Sequence, residues 1–290
     1  MKKFSILFLL IGAISLNAQH RFDGIQINAN IPEGWRTVSE DYGLIILGHN
    51  SIAGAIIIAE HGYSNEAEVR QNLAEGLQEE GVMLAPELQT KKLSNGTYST
   101  TYAGYADGQM VKAPLRLGLS KKWQTGGIMV LALVRKDLYN ESYDRILEQI
   151  MSSLSYRSFA STAKSAEWKE YLNGSKLQSR SSYDTNTSSF DSYAGAGSSS
   201  STSIHFCSNG QFLAQFYSSS YFGGTGVSGD VSESESESKG LWSVFTVKEQ
   251  VVIRLLYENG EIEYYPVVYD NGYIISKDSK FTKDVSNVCR

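Results

Sequence analysis

Four histidines, two cysteines and a scatter of carboxylates are the side chains around which this chain would have to build chemistry. His20, His49, His61 and His205 show neither i,i+4 nor metal-ligand spacing, so the sequence points to no zinc centre. Cys207 has only His205 beside it, too few ligands to hold a metal. No Gly-x-Ser-x-Gly elbow marks a nucleophile. Gly224-Thr225-Gly226-Val227-Ser228-Gly229 has the spacing of a dinucleotide-binding loop. Such a loop needs a helix N-terminus to meet the pyrophosphate, whereas Asp230 and a Ser-Glu repeat follow here, with charge that repels phosphate. Glu233, Glu235 and Glu237 of that repeat lack the rigid, convergent oxygens and tight glycine turn of a calcium site. Glycosidase carboxylate pairs meet in space without a fixed sequence spacing, so a hydrolase remains as a third reading only. The expectation is of no catalytic residue, no metal and no cofactor.

Aromatic side chains are the remaining resource. Phe212, Phe216, Trp242, Phe245, Tyr257 and Tyr265 crowd the last third of the chain, with Tyr264, Tyr269 and Tyr273 among them. They are a candidate lining for a pocket that takes an apolar or sugar ligand. A barrel of eight strands is equally just wide enough for such side chains to fill it.

The 290 residues suggest about two domains. With 31 acidic against 26 basic residues the net charge is −5, which offers no electrostatic footprint for a nucleic acid. Met1-Lys2-Lys3 followed by apolar Phe4–Ile14 and by Leu16-Asn17-Ala18 reads as a signal peptide over 1–18. The apolar run is shorter than the ~20 residues a membrane span requires, and no cysteine follows it to carry a lipid. The mature chain is therefore expected to start near Gln19, exported and soluble, in the periplasm or outside the cell. In an oxidising compartment Cys207 and Cys289 read as a disulfide, two free thiols being the alternative. The bridge would close a loop of about 80 residues, worth on the order of 4 kcal/mol by chain entropy.

The elements that must position these residues fall into two groups. Residues 20–157 read as an α+β domain. Its strand-like runs are Gly24–Ile31, Leu44–Gly48, Ala53–Ala59, Leu88–Leu93, Tyr98–Tyr105, Lys112–Ser120 and Gly127–Val134. Asn65 and Glu68 have capping-box spacing, Val69, Leu73 and Leu77 recur at i+4, and Gly81 sits as a C′ glycine, which predicts a first helix. Tyr143, Ile146, Leu147, Ile150, Met151 and Leu154 make one continuous helical face, which predicts the second. An antiparallel sheet of about six or seven strands carrying both helices is expected. Residues 158–167 read as a linker and 168–290 as an all-β domain, an up-and-down, lipocalin-like small barrel. Asn209-Gly210, Asn259-Gly260 and Asn271-Gly272 mark its hairpins. The Ser-rich segments 185–200 and 218–239 are too poor in apolar residues to offset the entropy of ordering and are expected as loops.

The Ile31-Pro32-Glu33-Gly34-Trp35 turn and the closing helix of Ser142–Tyr156 resemble the PsbP-like α/β/α family over nearly all of 20–157. That resemblance implies a small non-enzymatic accessory or chaperone-like protein and transfers no site residue. Ile204-His205-Phe206-Cys207-Ser208-Asn209-Gly210-Gln211-Phe212, Gly240-Leu241-Trp242, Leu256-Tyr257-Glu258-Asn259-Gly260 and the closing Val288-Cys289 resemble an uncharacterised bacterial β-barrel domain over 168–290. It brings no activity. Together these readings predict an exported, non-catalytic binding protein of the cell envelope, recognising a protein, a glycan or a small apolar ligand. The alternative is an assembly factor with no small ligand, holding partners on the α+β sheet surface.

Overall fold

Strands that are apolar on both faces dominate the first half of the chain, and a sheet covered on both sides is what such strands require. A computed structural model of the chain describes residues 19–289 except 124, 160–161, 190–191, 225–226 and 278, and leaves aside the side chains of 182–197 and 221–231. The leader read at 1–18 and the centre of the glycine motif at 224–229 lie outside the described residues. In chain order the first unit comprises β1 (His20–Phe22), β2 (Ile27–Ala29), β3 (Trp35–Asp41), β4 (Leu44–His49), β5 (Ala55–His61), α1 (Glu66–Glu75), β6 (Leu77–Glu79), β7 (Val82–Pro86), β8 (Lys91–Lys92), β9 (Tyr98–Ala106), β10 (Gln109–Leu119), β11 (Gly127–Arg135), α2 (Ser142–Ser153) and β12 (Ser155–Tyr156).

Nine of these strands form an antiparallel sheet in the order β3-β4-β5-β11-β10-β9-β7-β6, with β8 on β9; β1, β2 and β12 form a small sheet of their own. Alternation along the central strands feeds two cores. Ile128, Val130, Ala132 and Val134 of β11 join Ile45, Leu47, Ile56 and Ile58 beneath Tyr143, Leu147 and Ile150 of α2. Leu131 of β11 joins Val111, Ala113, Leu115 and Leu117 of β10 beneath Val69 and Leu73 of α1. A helix thus covers each face. The sheet exceeds the six or seven strands expected because β3 and β6 are largely exposed and carry little periodic signal.

Asn65 caps α1 by accepting from the Glu68 N–H at 3.1 Å, while the Glu68 carboxylate accepts from the Ser64 N–H at 2.8 Å. The helix stops at Gly76, with φ of 85°, and not at Gly81 as the spacing predicts. Leu77 leaves the helix to pair with Leu84 in β6, and Gly81 serves the turn into β7 instead.

The second unit opens with α3 (Ala163–Leu172), so the expected linker at 158–167 is shorter and half of it is helix. Thr162 and Ser165 cap α3 reciprocally, hydroxyl to N–H in both directions, with serine in the place usually held by Glu or Gln. Eight strands follow: β13 (Ser175–Ser189), β14 (Ser192–Phe206), β15 (Gln211–Gly224), β16 (Val227–Val247), β17 (Gln250–Tyr257), β18 (Ile262–Asp270), β19 (Tyr273–Ser276) and β20 (Ser279–Val285). They pair in sequence as a closed barrel, and Ser175–Gln178 of β13 pairs with Thr282–Val285 of β20 to close it. Closure removes the edges that a meander would otherwise expose.

The expectation of loops at 185–200 and 218–239 is overturned. These serines continue the β13–β14 and β15–β16 ladders beyond the barrel wall, from Ser179↔Thr202 out to Ser189↔Ser192 and from Ser218↔Ser234 out to Gly224↔Val227. Period-2 alternation of small hydroxyls and carboxylates suits a sheet wet on both faces. Cross-strand hydroxyls add bonds, Ser199 with Ser219 and Ser218 with Ser234, each at 2.8 Å. The Asn-Gly turns lie where the sequence places them. Asn271 and Gly272 both take positive φ, 49° and 87°, as a two-residue hairpin turn demands.

Candidate functional site

Inward positions of the barrel follow from the strand period. Phe212, Ala214 and Phe216 of β15, Trp242 and Val244 of β16, and Val251, Ile253 and Leu255 of β17 point into one core with Phe206, Tyr257 and Tyr265. Five of the six candidate pocket aromatics therefore meet inside the barrel. Phe245 does not. It lies one position out of phase with Trp242 and Val244, and packs on the outer wall with Val247 and Val252. Leu172 of α3, fully buried, enters the core at the mouth where β13 begins, with Trp168 against it. The space left between Leu177, Ile204, Phe206, Leu255, Val267, Ile274 and Phe281 is about 10 Å³, room for no more than a single water. Tyr257 and Tyr265 both donate to Glu263 Oε2 at 2.6 Å, and burial raises both phenols above their usual range.

The cysteines form the expected disulfide, Cys207–Cys289. It fastens the chain beyond β20 to the turn between β14 and β15. Around it Trp242 Nε1 donates to the Cys207 carbonyl at 3.0 Å, and Ser286 Oγ accepts from the Cys289 N–H and contacts His205 Nδ1 at 2.9 Å.

The two units meet on the outer wall of β16–β18, a junction that no local spacing announces. Phe245, Val247 and Val252 pack with Tyr42, Phe159 and Tyr264. At its centre the Glu60 carboxylate, 1% exposed, accepts from Arg254 Nε at 2.9 Å, from Arg254 Nη2 and from the Tyr264 hydroxyl. Burial drives the Glu60 pKa up, and the Arg254 charge and Tyr264 hydroxyl pull it back. Arg254, beside that carboxylate, is held above its ordinary value despite its own burial. A carboxylate this deep is stable only when its lone pairs have partners, which three converging donors provide. Beside it opens a cleft walled by Trp123 and Phe159.

The histidines stay apart. His49 Nδ1 accepts from the N–H groups of Ser51 and Ile52, each at 3.0 Å, and closes a turn. His61 is buried in the first unit, His205 lies at the disulfide end of the barrel, and His20 is exposed. Among the described residues no three His, Cys, Asp or Glu side chains are placed to hold a metal, and no helix is long and apolar enough to cross a membrane. No protein-family model and no curated protein matches the chain.

Proposed function

We propose that this is an exported, non-catalytic protein of the cell envelope that holds a protein partner on the surface of its first unit, the assembly-factor reading. A row of apolar side chains carries it. Met83 of β7, Tyr105 of β9 and Met110 of β10 are register neighbours on one face, and they are 66%, 53% and 50% exposed. Contiguous apolar surface of this kind, left in water by a monomer, marks an interaction site. The packed barrel core among the described residues supports the same reading, because a carrier would need a lumen. The leader pattern and the Cys207–Cys289 bridge support export. The PsbP-like resemblance of the first unit agrees with an accessory role.

A photo-crosslinking residue in place of Tyr105, expressed in the native host, tests this. It is expected to trap one discrete adduct that a probe in place of exposed Arg36 does not, and Met83→Ser with Met110→Ser should abolish it. An adduct pattern identical to that of the Arg36 probe contradicts the reading.

A further inference from the structure

We propose that the cleft between the two units binds a small carboxylate with an apolar, planar body. The cleft encloses about 290 Å³, the lower end of the range for small-molecule sites and enough for a single ring with a short acid arm. Its floor is two rungs of the outer barrel wall, Leu241 opposite Leu256 and Ser243 opposite Arg254. Its wall is Trp123 and Phe159, with rings 5.4 Å apart, and Phe159 also lies 5.3 Å from the Arg254 guanidinium. Such surroundings favour a flat apolar body.

The polar groups select the head. Ser243 Oγ is buried with no hydrogen-bond partner among the described residues. Arg254, which lines the cleft, turns Nε and Nη2 to Glu60, so Nη1 is the nitrogen left over. Ser243 and Arg254 are directly opposite on an antiparallel pair, so both side chains leave the same face of the barrel wall. The Ser243 hydroxyl and Arg254 Nη1 are two donors on that face, and a carboxylate has two oxygens to accept from them. Glu60 and Arg254 cancel each other's charge, and exposed Lys122 at the rim supplies the positive charge an anion requires. A phosphate would bring a second negative charge towards the buried Glu60 carboxylate, which favours the singly charged acid. The site is remote from the Met83–Tyr105–Met110 row, at the opposite end of β10, so either proposal stands without the other.

Calorimetric titration of the disulfide-intact protein with phenylacetate tests the assignment. Saturable one-to-one binding is expected, weaker by about tenfold or more for Ser243→Ala and for the neutral probe phenylacetamide, as loss of a charge-assisted hydrogen bond implies. Lys122→Ala should weaken binding and remove its salt dependence, and Leu241→Trp, which fills the cleft, should abolish it. Thermal unfolding of each variant at the wild-type midpoint shows that the fold is kept. No saturable binding at millimolar phenylacetate, equal affinity for phenylacetamide, or an unchanged affinity in Ser243→Ala overturns the proposal.

Discussion

His61 is packed where protonation has no outlet. Its ring stacks on Tyr63 at 4.9 Å, Nε2 lies 3.2 Å from the Gly118 carbonyl and so must carry the proton it donates there, and Nδ1 is buried without a partner among the described residues. Burial lowers its pKa from 6.5 to about 4. Between those values the unfolded chain binds the proton and the folded chain does not, so stability falls as pH falls through that window. Above pH 6.5 the effect vanishes. The loss reaches about 3 kcal/mol by pH 4, since each tenfold change in proton affinity corresponds to ~1.4 kcal/mol. His205, lowered by burial as well, pushes in the same direction. His61→Gln, which keeps a donor for Gly118 and does not titrate, is expected to flatten the pH dependence of the urea midpoint between pH 6.5 and 4 by that amount. An acid limb identical to wild type would mean that the ring is hydrated.

The closing strand depends on a fastening outside itself. β20 is seven residues long, mostly exposed, and joined to β13 through only four register pairs. The Cys207–Cys289 bridge, whose cysteines are 82 positions apart in sequence, holds the segment that follows it. Replacing both cysteines with serine is expected to cost about 4 kcal/mol by the chain-entropy estimate. Hydrogen exchange should show protection lost first in β20 and at the start of β13; uniform loss across the barrel would place the bridge's effect elsewhere. The elements themselves are unequally legible. Asn-Gly pairs and the helical face of α2 are local signals and mark their elements directly. Serine carries almost no strand propensity, so the long arms of β13–β16 read as loops; what orders them is ladder pairing with neighbours visible only in three dimensions. The Thr162 cap is hidden because serine replaces the usual Glu or Gln, and Phe245 reads as inward because composition does not fix strand phase. Glu60 and Arg254 lie 194 residues apart, so their meeting leaves no trace in spacing.

At the level of the whole molecule, each half closes off its own interior and they share a buried junction. The sheet is covered on both faces, the barrel core is packed among the described residues with Leu172 of α3 at its mouth, and the Glu60–Arg254–Tyr264 cluster clamps barrel to sheet. Removing Glu60 or Arg254 alone would strand a buried charge, a change that typically costs about 3–5 kcal/mol, which makes relative motion of the halves expensive. What remains available for recognition is outer surface: the apolar row on β7, β9 and β10, and the cleft at the junction. The most direct test is whether the barrel accepts an apolar guest. Titration of the protein with the fluorescent probe N-phenyl-1-naphthylamine is expected to give no saturable binding within the lumen. One-to-one binding that disappears when Ala214, a fully buried lumen residue, is changed to Trp would show an open barrel and contradict this view of the molecule.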